Sequence, residues 1–262
     1  MNKRILISAP VNSRGWVLPY YLDKIYNISY DRKLIDIYWL TNSITDNSLE
    51  LLNDFCNKHI SEYNSITIEN FKPKILFQDK RTTDIRMTHT YDFLSFLRNK
   101  MFDKCVSLNC DFLLNCDCDI LVPKNILNDL LGINGDVRAS LIWNGYLFNK
   151  ESPYKYPNIL NFENGVYKHI VNYHVKNPDK TQKDKVIPCD ATGACCLISK
   201  EVCKNTFYSK HSQGEDLGWA DDCRQKGYKM YCLPSCFSLH VMDKSLLEIF
   251  NINNINVLDK IS

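Results

Sequence analysis

No stretch of this 262-residue chain approaches the roughly eighteen consecutive apolar residues that a membrane-crossing helix needs, so no transmembrane segment is expected. The start is equally spare. Met1-Asn2-Lys3-Arg4 leads into a three-residue apolar run, Ile5 to Ile7, that stops at polar Ser8, too short for the core of a secretory signal. Charge of neither sign dominates: Lys plus Arg number 32 and Asp plus Glu 30, a net charge of +2. That balance argues against a chain that mainly coats nucleic acid or anionic membrane, while leaving room for a local basic patch. Internal repeats, low-complexity blocks and linkers are missing, so residues 1–262 read as a single domain. Paired Cys-x-x-Cys elements with zinc-site spacing are missing as well. Cysteine itself is plentiful, at twelve residues. Without an export signal these are expected as free thiols in a reducing cytoplasm, filling the core as small apolar residues.

The 45% of aliphatic, aromatic and Cys residues suffices for a sizeable core, and its periodicity outlines the elements. Ile5 to Val11, ending at Pro10 before polar Asn12-Ser13-Arg14-Gly15, predicts a buried strand and a loop. Trp16 to Ile28 then spaces Leu18, Tyr21, Leu22 and Ile25 helically, with Pro19 tolerable in the first turn. The pattern recurs at once: Leu34 to Leu40 is a strand, Thr41 to Asn47 is polar, and Ser48 to Phe55 carries Leu49, Leu52 and Phe55 on one face. Such units predict an α/β fold with a mainly parallel sheet and ligand loops at the carboxyl ends of its strands. Further on, helices are expected over His89 to Lys104 and Asn125 to Leu131, with strands over Phe112 to Cys116 and Leu141 to Tyr146. Asn149 to Lys185 has weak periodicity and is expected to form loops and a mobile flap. A strand over Thr192 to Ile198, a helix over Asp216 to Lys226 closed by Gly227, and a short strand over Lys229 to Leu233 complete the outline.

Two acidic motifs carry chemistry. Asp117-Cys118-Asp119 follows the strand ending at Cys116, and in an extended segment residues i and i+2 point the same way, so two carboxylates are expected side by side. Like charges that close need a cation or a positive partner, and hard oxygen ligands suit Mg²⁺ or Mn²⁺, which in turn hold nucleotide phosphates. A solvated acidic turn is the alternative reading. Gly214-Glu215-Asp216 opens a helix. A carboxylate there is either an N-cap or, beside a metal and a hydroxyl, a base. His240 closes the alternating run Cys236-Phe237-Ser238-Leu239 and reads either as a structural histidine or as a ligand.

In this order the residues resemble the GT-A glycosyltransferases, most closely their family-2-like branch. The resemblance rests on the first strand ending Ser8-Ala9-Pro10-Val11-Asn12, the polar loop Thr41-Asn42-Ser43-Ile44-Thr45-Asp46, and the helical pair Arg98-Asn99. It continues through Asp117-Cys118-Asp119, Thr192-Gly193-Ala194-Cys195, Glu215-Asp216, Gly227-Tyr228-Lys229 and His240, covering roughly residues 3 to 242. The fold implied is a Rossmann-like three-layer sandwich, with a nucleotide-binding half to about residue 123, an acceptor-binding half over about 124–243 and a tail over 244–262. Thr41 and Asn42 stand where the family usually has a carboxylate, so a base contact falls to an amide or hydroxyl here. The Gln-x-x-Arg-Trp motif of processive polysaccharide synthases is absent, which favours a soluble enzyme making single transfers.

The resemblance implies that Asp117, Asp119 and His240 hold Mn²⁺ or Mg²⁺ against the diphosphate of a nucleotide-sugar, with a UDP-sugar favoured, and that the metal stabilises charge on the leaving group. By the same resemblance Pro10, Asn12, Asn42 and Asp46 line the nucleoside pocket, with ordinary turn residues the alternative for the last three, and Arg98 and Asp117 support ribose or phosphate, with a surface helix position the alternative for Arg98. The resemblance favours an inverting transfer with Asp216 as the base, a retaining transfer needing no base so placed, and gives Glu215 the orienting of a hydroxyl acceptor on a glycan, a protein or a modified nucleic acid. Trp143, Tyr146, Tyr154, Tyr156 and Trp219 are candidates for stacking on sugar or base, or for packing. Cys118 is expected to point away from the metal into the core, with Cys116, Cys195 and Cys196 near enough to the site for oxidation to inactivate it. A nucleotide-sugar binding protein without catalysis and a nucleotidyltransferase are the alternatives. The latter usually carries a Gly-rich basic phosphate loop, for which only Arg14-Gly15 is available.

Overall fold

Strand β1 (Ile5–Val11) is buried on both faces, and the fold is built outward from it. In the computed structural model, which describes residues 2–71, 88–144, 156–170 and 186–249, it is followed by α1 (Leu18–Tyr26), β2 (Ile35–Asn42), α2 (Ser48–His59) and β3 (Ser65–Phe71). Next come α3 (Thr88–Ser107), β4 (Phe112–Cys116), β5 (Ile120–Leu121), α4 (Ile126–Leu131) and β6 (Val137–Asn144). Short strands follow: β7 (Tyr156–Pro157), β8 (Ile159–Glu163), β9 (Val166–His169), β10 (Ile187–Cys189) and β11 (Ala191–Thr192). The chain then forms β12 (Cys195–Ser199), α5 (Lys200–Asn205), α6 (Glu215–Gln225), β13 (Met230–His240) and α7 (Ser245–Ile249).

The main sheet runs β10-β13-β6-β12-β4-β1-β2-β3. Neighbours β4, β1, β2 and β3 are parallel, as is the β6–β13 pair. The sheet is mixed but mostly parallel, as the recurring strand and helix pattern predicts. The departures are β12, antiparallel to both β4 and β6, and β10, antiparallel to β13; β12 is entered through a tight turn at Gly193-Ala194 rather than a crossover helix. Alternation along the strands separates two cores. Ile5, Ile7, Ala9 and Trp39 pack with Leu18, Tyr21, Leu52 and Phe55 of α1 and α2. Leu6 and Leu40 face the other way, onto Leu97 and Met101 of α3, Val202 of α5 and Trp219 of α6. Burying each large apolar side chain contributes about 1.5–3 kcal/mol before entropy is counted, which is why the sandwich forms around these runs.

Asp36 is the one charged residue of β2, sealed at the strand's amino-terminal end. Arg4 donates to it from Nε at 2.7 Å, Asn64 from Nδ2 at 2.7 Å and Ser65 from its hydroxyl at 2.6 Å. Burial opposes its ionisation, but Arg4 and the two neutral donors outweigh that and hold the carboxyl below the ordinary aspartate value. The unfolded chain therefore takes up a proton first as pH falls. Stability from this group is complete above the unfolded value of about 4 and drains as pH drops through the lower folded value. Asp36→Asn should flatten that part of the acid-denaturation curve; an unchanged slope below pH 4 would count against the assignment.

Two expectations need correcting. Asn149 to Lys185 was expected to be loops, yet residues 156–169 form β7, β8 and β9, with β8 and β9 pairing antiparallel through the turn at Asn164-Gly165, both at positive φ. Residues 145–155 and 171–185, where the flap was expected, lie outside the described residues. The short strand over Lys229 to Leu233 instead belongs to the eleven-residue β13, whose register against β6 shifts between Leu233 and Phe237. Pro234 lies within that shift, where its missing N–H breaks no ladder bond, and apolar alternation is interrupted there.

All twelve cysteines are free, and all but Cys56 are buried, divided between the two cores. Cys118 packs into the α1 and α2 side, away from solvent, as its position between two aspartates suggests. Burial raises its thiol pKa, and raises those of Cys189 and Cys223 to about 12. Because the thiolate is the reactive form, burial keeps Cys118, Cys189 and Cys223 in the less reactive thiol form.

Candidate functional site

The carboxyl ends of β1, β2 and β4 converge with the end of β13 and the start of α6. Asp117 and Asp119 do not leave β4 side by side. The Ile120 N–H donates to the Asp117 carbonyl at 2.9 Å, closing a turn that sends the two carboxylates to different partners. The i, i+2 argument fails because the segment stops being extended at Cys116.

Asp117 meets Arg98. The guanidinium, 3% exposed in the middle of α3, donates from Nη1 to Asp117 Oδ1 at 2.5 Å and from Nη2 to Oδ2 at 2.9 Å, and Nη1 also reaches Asn115 Oδ1 at 2.5 Å. Its Nε lies 3.9 Å from Glu215 Oε1. Burial alone would favour a neutral side chain, but Asp117 and Asp216 more than offset it, and Arg98 stays charged. Both oxygens of Asp117 are thus engaged by one fork, which anchors Arg98 at the site.

Asp119 turns toward β13. Pairing of β5 with β13 sets His240 opposite Ile120, and the Val241 N–H donates to the Asp119 carbonyl at 2.9 Å. His240 Nε2 comes to 3.6 Å from Asp119 Oδ1, while Arg14 Nε lies 3.6 Å from Oδ2. On its far side, His240 Nδ1 is 2.6 Å from Asn144 Oδ1. The amide oxygen accepts from Nδ1, which leaves Nε2 on the Asp119 side as the ring nitrogen placed to meet a metal. An imidazole nitrogen and a hard carboxylate oxygen presented together fit Mn²⁺ or Mg²⁺, which complete their shells with phosphate and water. Among the described residues no third His, Cys, Asp or Glu joins them.

Glu215 and Asp216 occupy the first turn of α6, where the helix dipole favours negative charge. The N-cap is Gly214 at φ 136°, a conformation that other residues rarely adopt, so neither acid serves as the cap. Glu215 is buried beside Arg98, and Asp216 lies directly over Gly193: a Cβ built on that glycine would overlap its carboxylate. The Gly193-Ala194 turn is held from both sides. The Ala194 carbonyl accepts from the Asp117 N–H at 2.9 Å, and Asn158 Nδ2 donates to the Gly193 carbonyl at 3.2 Å.

The proposed nucleoside pocket residues cluster on the β1 and β2 side. Asn12 Nδ2 donates to Asn42 Oδ1 at 3.1 Å, and Pro10 pairs with Leu40 beyond the last β1–β4 contact. Asp46 accepts from the Gly15 N–H at 2.8 Å and the Ser48 N–H at 2.9 Å, tying the loop after β1 to the start of α2. Burial pulls its pKa up, and these bonds with the Ser48 hydroxyl more than reverse that. Of the aromatic candidates, Trp219 is fully buried and donates from Nε1 to Thr206 Oγ1 at 2.9 Å, a packing role. The Tyr156 ring rests 4.5 Å from His169, while Tyr146 and Tyr154 lie outside the described residues. Asn144, Asn115 and Asn158 were not singled out from sequence; lone asparagines within or between strands give no local signal.

The Anp1 family profile matches residues 1–166. No curated protein sequence matches the chain. Among solved structures, a mannosyltransferase of Pyrobaculum calidifontis, in complex with GDP-Man and Mn²⁺, superposes with a TM-score of 0.54 at 12% identity over 98% of this chain and 62% of that one. TarS of S. aureus gives 0.57 at 11% over 97% of this chain and 40% of that one. GalNAc-T7, solved with UDP, GalNAc and Mn²⁺, gives 0.60 at 13% over 91% and 44%. At such identities the likeness is one of fold, and the chain spans less than two thirds of each of these neighbours. The expected GT-A architecture is therefore the observed one.

Proposed function

The chain belongs to the Anp1 family, and from that premise we propose that it is a metal-dependent glycosyltransferase, moving a sugar from a nucleoside diphosphate donor to a hydroxyl acceptor. The observation that carries the reading is that Asp119 meets His240 while its neighbour Asp117 is bonded to the Gly193-Ala194 turn on which Asp216 rests. Asp119 and His240 would hold Mn²⁺ or Mg²⁺, which when bound supplies Lewis-acid stabilisation to the leaving diphosphate. Arg14, beside Asp119, adds positive charge facing the same diphosphate. Asp216 takes the acceptor proton in an inverting transfer, and buried Glu215, beside Arg98, fixes the start of α6 from which Asp216 projects. Asn12 and Asn42 present neutral amides to the base.

The test is nucleoside diphosphate release with Mn²⁺, run with UDP-sugars, the expectation from sequence, and with GDP-mannose, the donor bound by the Pyrobaculum neighbour. Metal-dependent binding of these donors without transfer to any glycan, protein or nucleic-acid acceptor would favour a binding protein instead. Gly193→Ala offers a sharper check. The added methyl displaces the Asp216 carboxylate, and a misplacement of about 1 Å costs roughly 100-fold in rate. Turnover should fall by that order while donor affinity holds; full activity would remove Asp216 from the base role.

A further inference from the structure

Beneath the α6 carboxylates, four buried polar atoms have no hydrogen-bond partner among the described residues: Ser95 Oγ, Arg98 Nε, Asn115 Nδ2 and the Tyr208 hydroxyl. Their residues are 6%, 3%, 0% and 2% exposed. They are neighbours. Ser95 lies one helical turn before Arg98 on α3, and Arg98 Nη1 bonds Asn115. The next residue, Asn99, clasps the backbone of Tyr208, accepting from its N–H at 2.7 Å and donating to its carbonyl at 2.9 Å. The Tyr208 ring stacks on Trp219 at 4.9 Å and leans on Phe102 at 5.2 Å.

Backbone and ring of Tyr208 are therefore held by other contacts, and the hydroxyl is left over. It lies within the electrostatic reach of Arg98 on α3, Glu215 and Asp216 on α6, and Cys196 on β12. Burial first, and then these carboxylates, keep the phenol protonated, so it is a neutral donor in a place where Asp117, Glu215 and Asp216 outnumber Arg98. Protein interiors rarely leave such groups unpaired, and ordered water making about three bonds is the usual remedy.

We infer that Ser95, Arg98, Asn115 and Tyr208 enclose ordered water beneath the site, and that Tyr208 is a positioning residue whose O–H acts through that water on the Glu215–Asp216 pair. The positioning half rests on the transfer reaction proposed above; the hydration half does not. Tyr208→Phe and Ser95→Ala remove one hydroxyl each and spare the ring stack and the Asn99 clasp. Each should lower Tm by a few degrees, with the double variant losing less than the two losses together, because they share one water network. In the transfer assay Tyr208→Phe should lower kcat about ten-fold with the donor KM unchanged. A Tm that rises in Tyr208→Phe, as removal of an unpaired buried hydroxyl would give, overturns the inference. So do additive losses, or an unchanged kcat in an active parent. If the parent shows no transfer, the proposed function fails, while the stability cycle still decides the hydration.

Discussion

Arg98→Leu should lose about 3–5 kcal/mol of stability, read from the denaturant midpoint, because it strips the counter-charge from a buried cluster and adds nothing polar in return. The side chain reaches Asp117 with both ends of its fork and stands 3.9 Å from Glu215, itself buried. With the guanidinium gone, Asp117 and Glu215 both lose its buried positive charge, which weakens the start of α6. Arg98→Lys keeps the charge but cannot match two carboxylate oxygens and Asn115 together, so an intermediate loss is expected. A loss below about 1 kcal/mol, the range of a solvent-exposed ion pair, would show that the cluster is wetter than its burial implies.

Asp119→Asn should abolish most metal-dependent transfer. Lewis-acid stabilisation worth several kcal/mol is at stake, and about 4 kcal/mol corresponds to roughly a thousand-fold in rate. The substitution keeps the shape of the side chain, so Tm should change little. Asn144→Ala should act more mildly, lowering metal affinity about 10–100-fold, since it touches only Nδ1 of His240 and frees the ring to turn or change tautomer. Calorimetry with Mn²⁺ and a nucleoside diphosphate reads both effects. Undiminished Mn²⁺ affinity in Asp119→Asn would move the metal elsewhere.

The parts of this architecture legible from sequence are those with a local period. Ile5 to Val11 announced a central strand because both of its faces are buried, and Leu18, Tyr21, Leu22 and Ile25 announced α1 because a helix needs one apolar stripe. The acidic motifs stood out for the same reason, as like charges packed into three residues. What stayed hidden depends on partners brought together by the sheet. Arg98 and Asp117 are 19 residues apart, joined only once α3 packs on β4, and nothing in the spacing reveals that the fork closes on the first aspartate rather than the second. His240 and Asn144 are separated by 96 residues and meet through the register of β6 with β13. The hairpin of β8 and β9 was missed because its turn residues lie among other Pro, Asn and Tyr residues that gave no contrast.

The pairing of β5 with the end of β13 has a consequence for how the protein is made. Chains grow from the amino terminus, and domains begin folding as they emerge. By the time β4 and its aspartates are outside the ribosome, the parallel half of the sheet already has its strands, but the imidazole beside Asp119 belongs to the last strand of the sheet to be translated. Until then Asp119 lacks that imidazole, although Arg14, from the loop after β1, has already been made. The two side chains proposed to hold the metal thus come together only once β13 has been made.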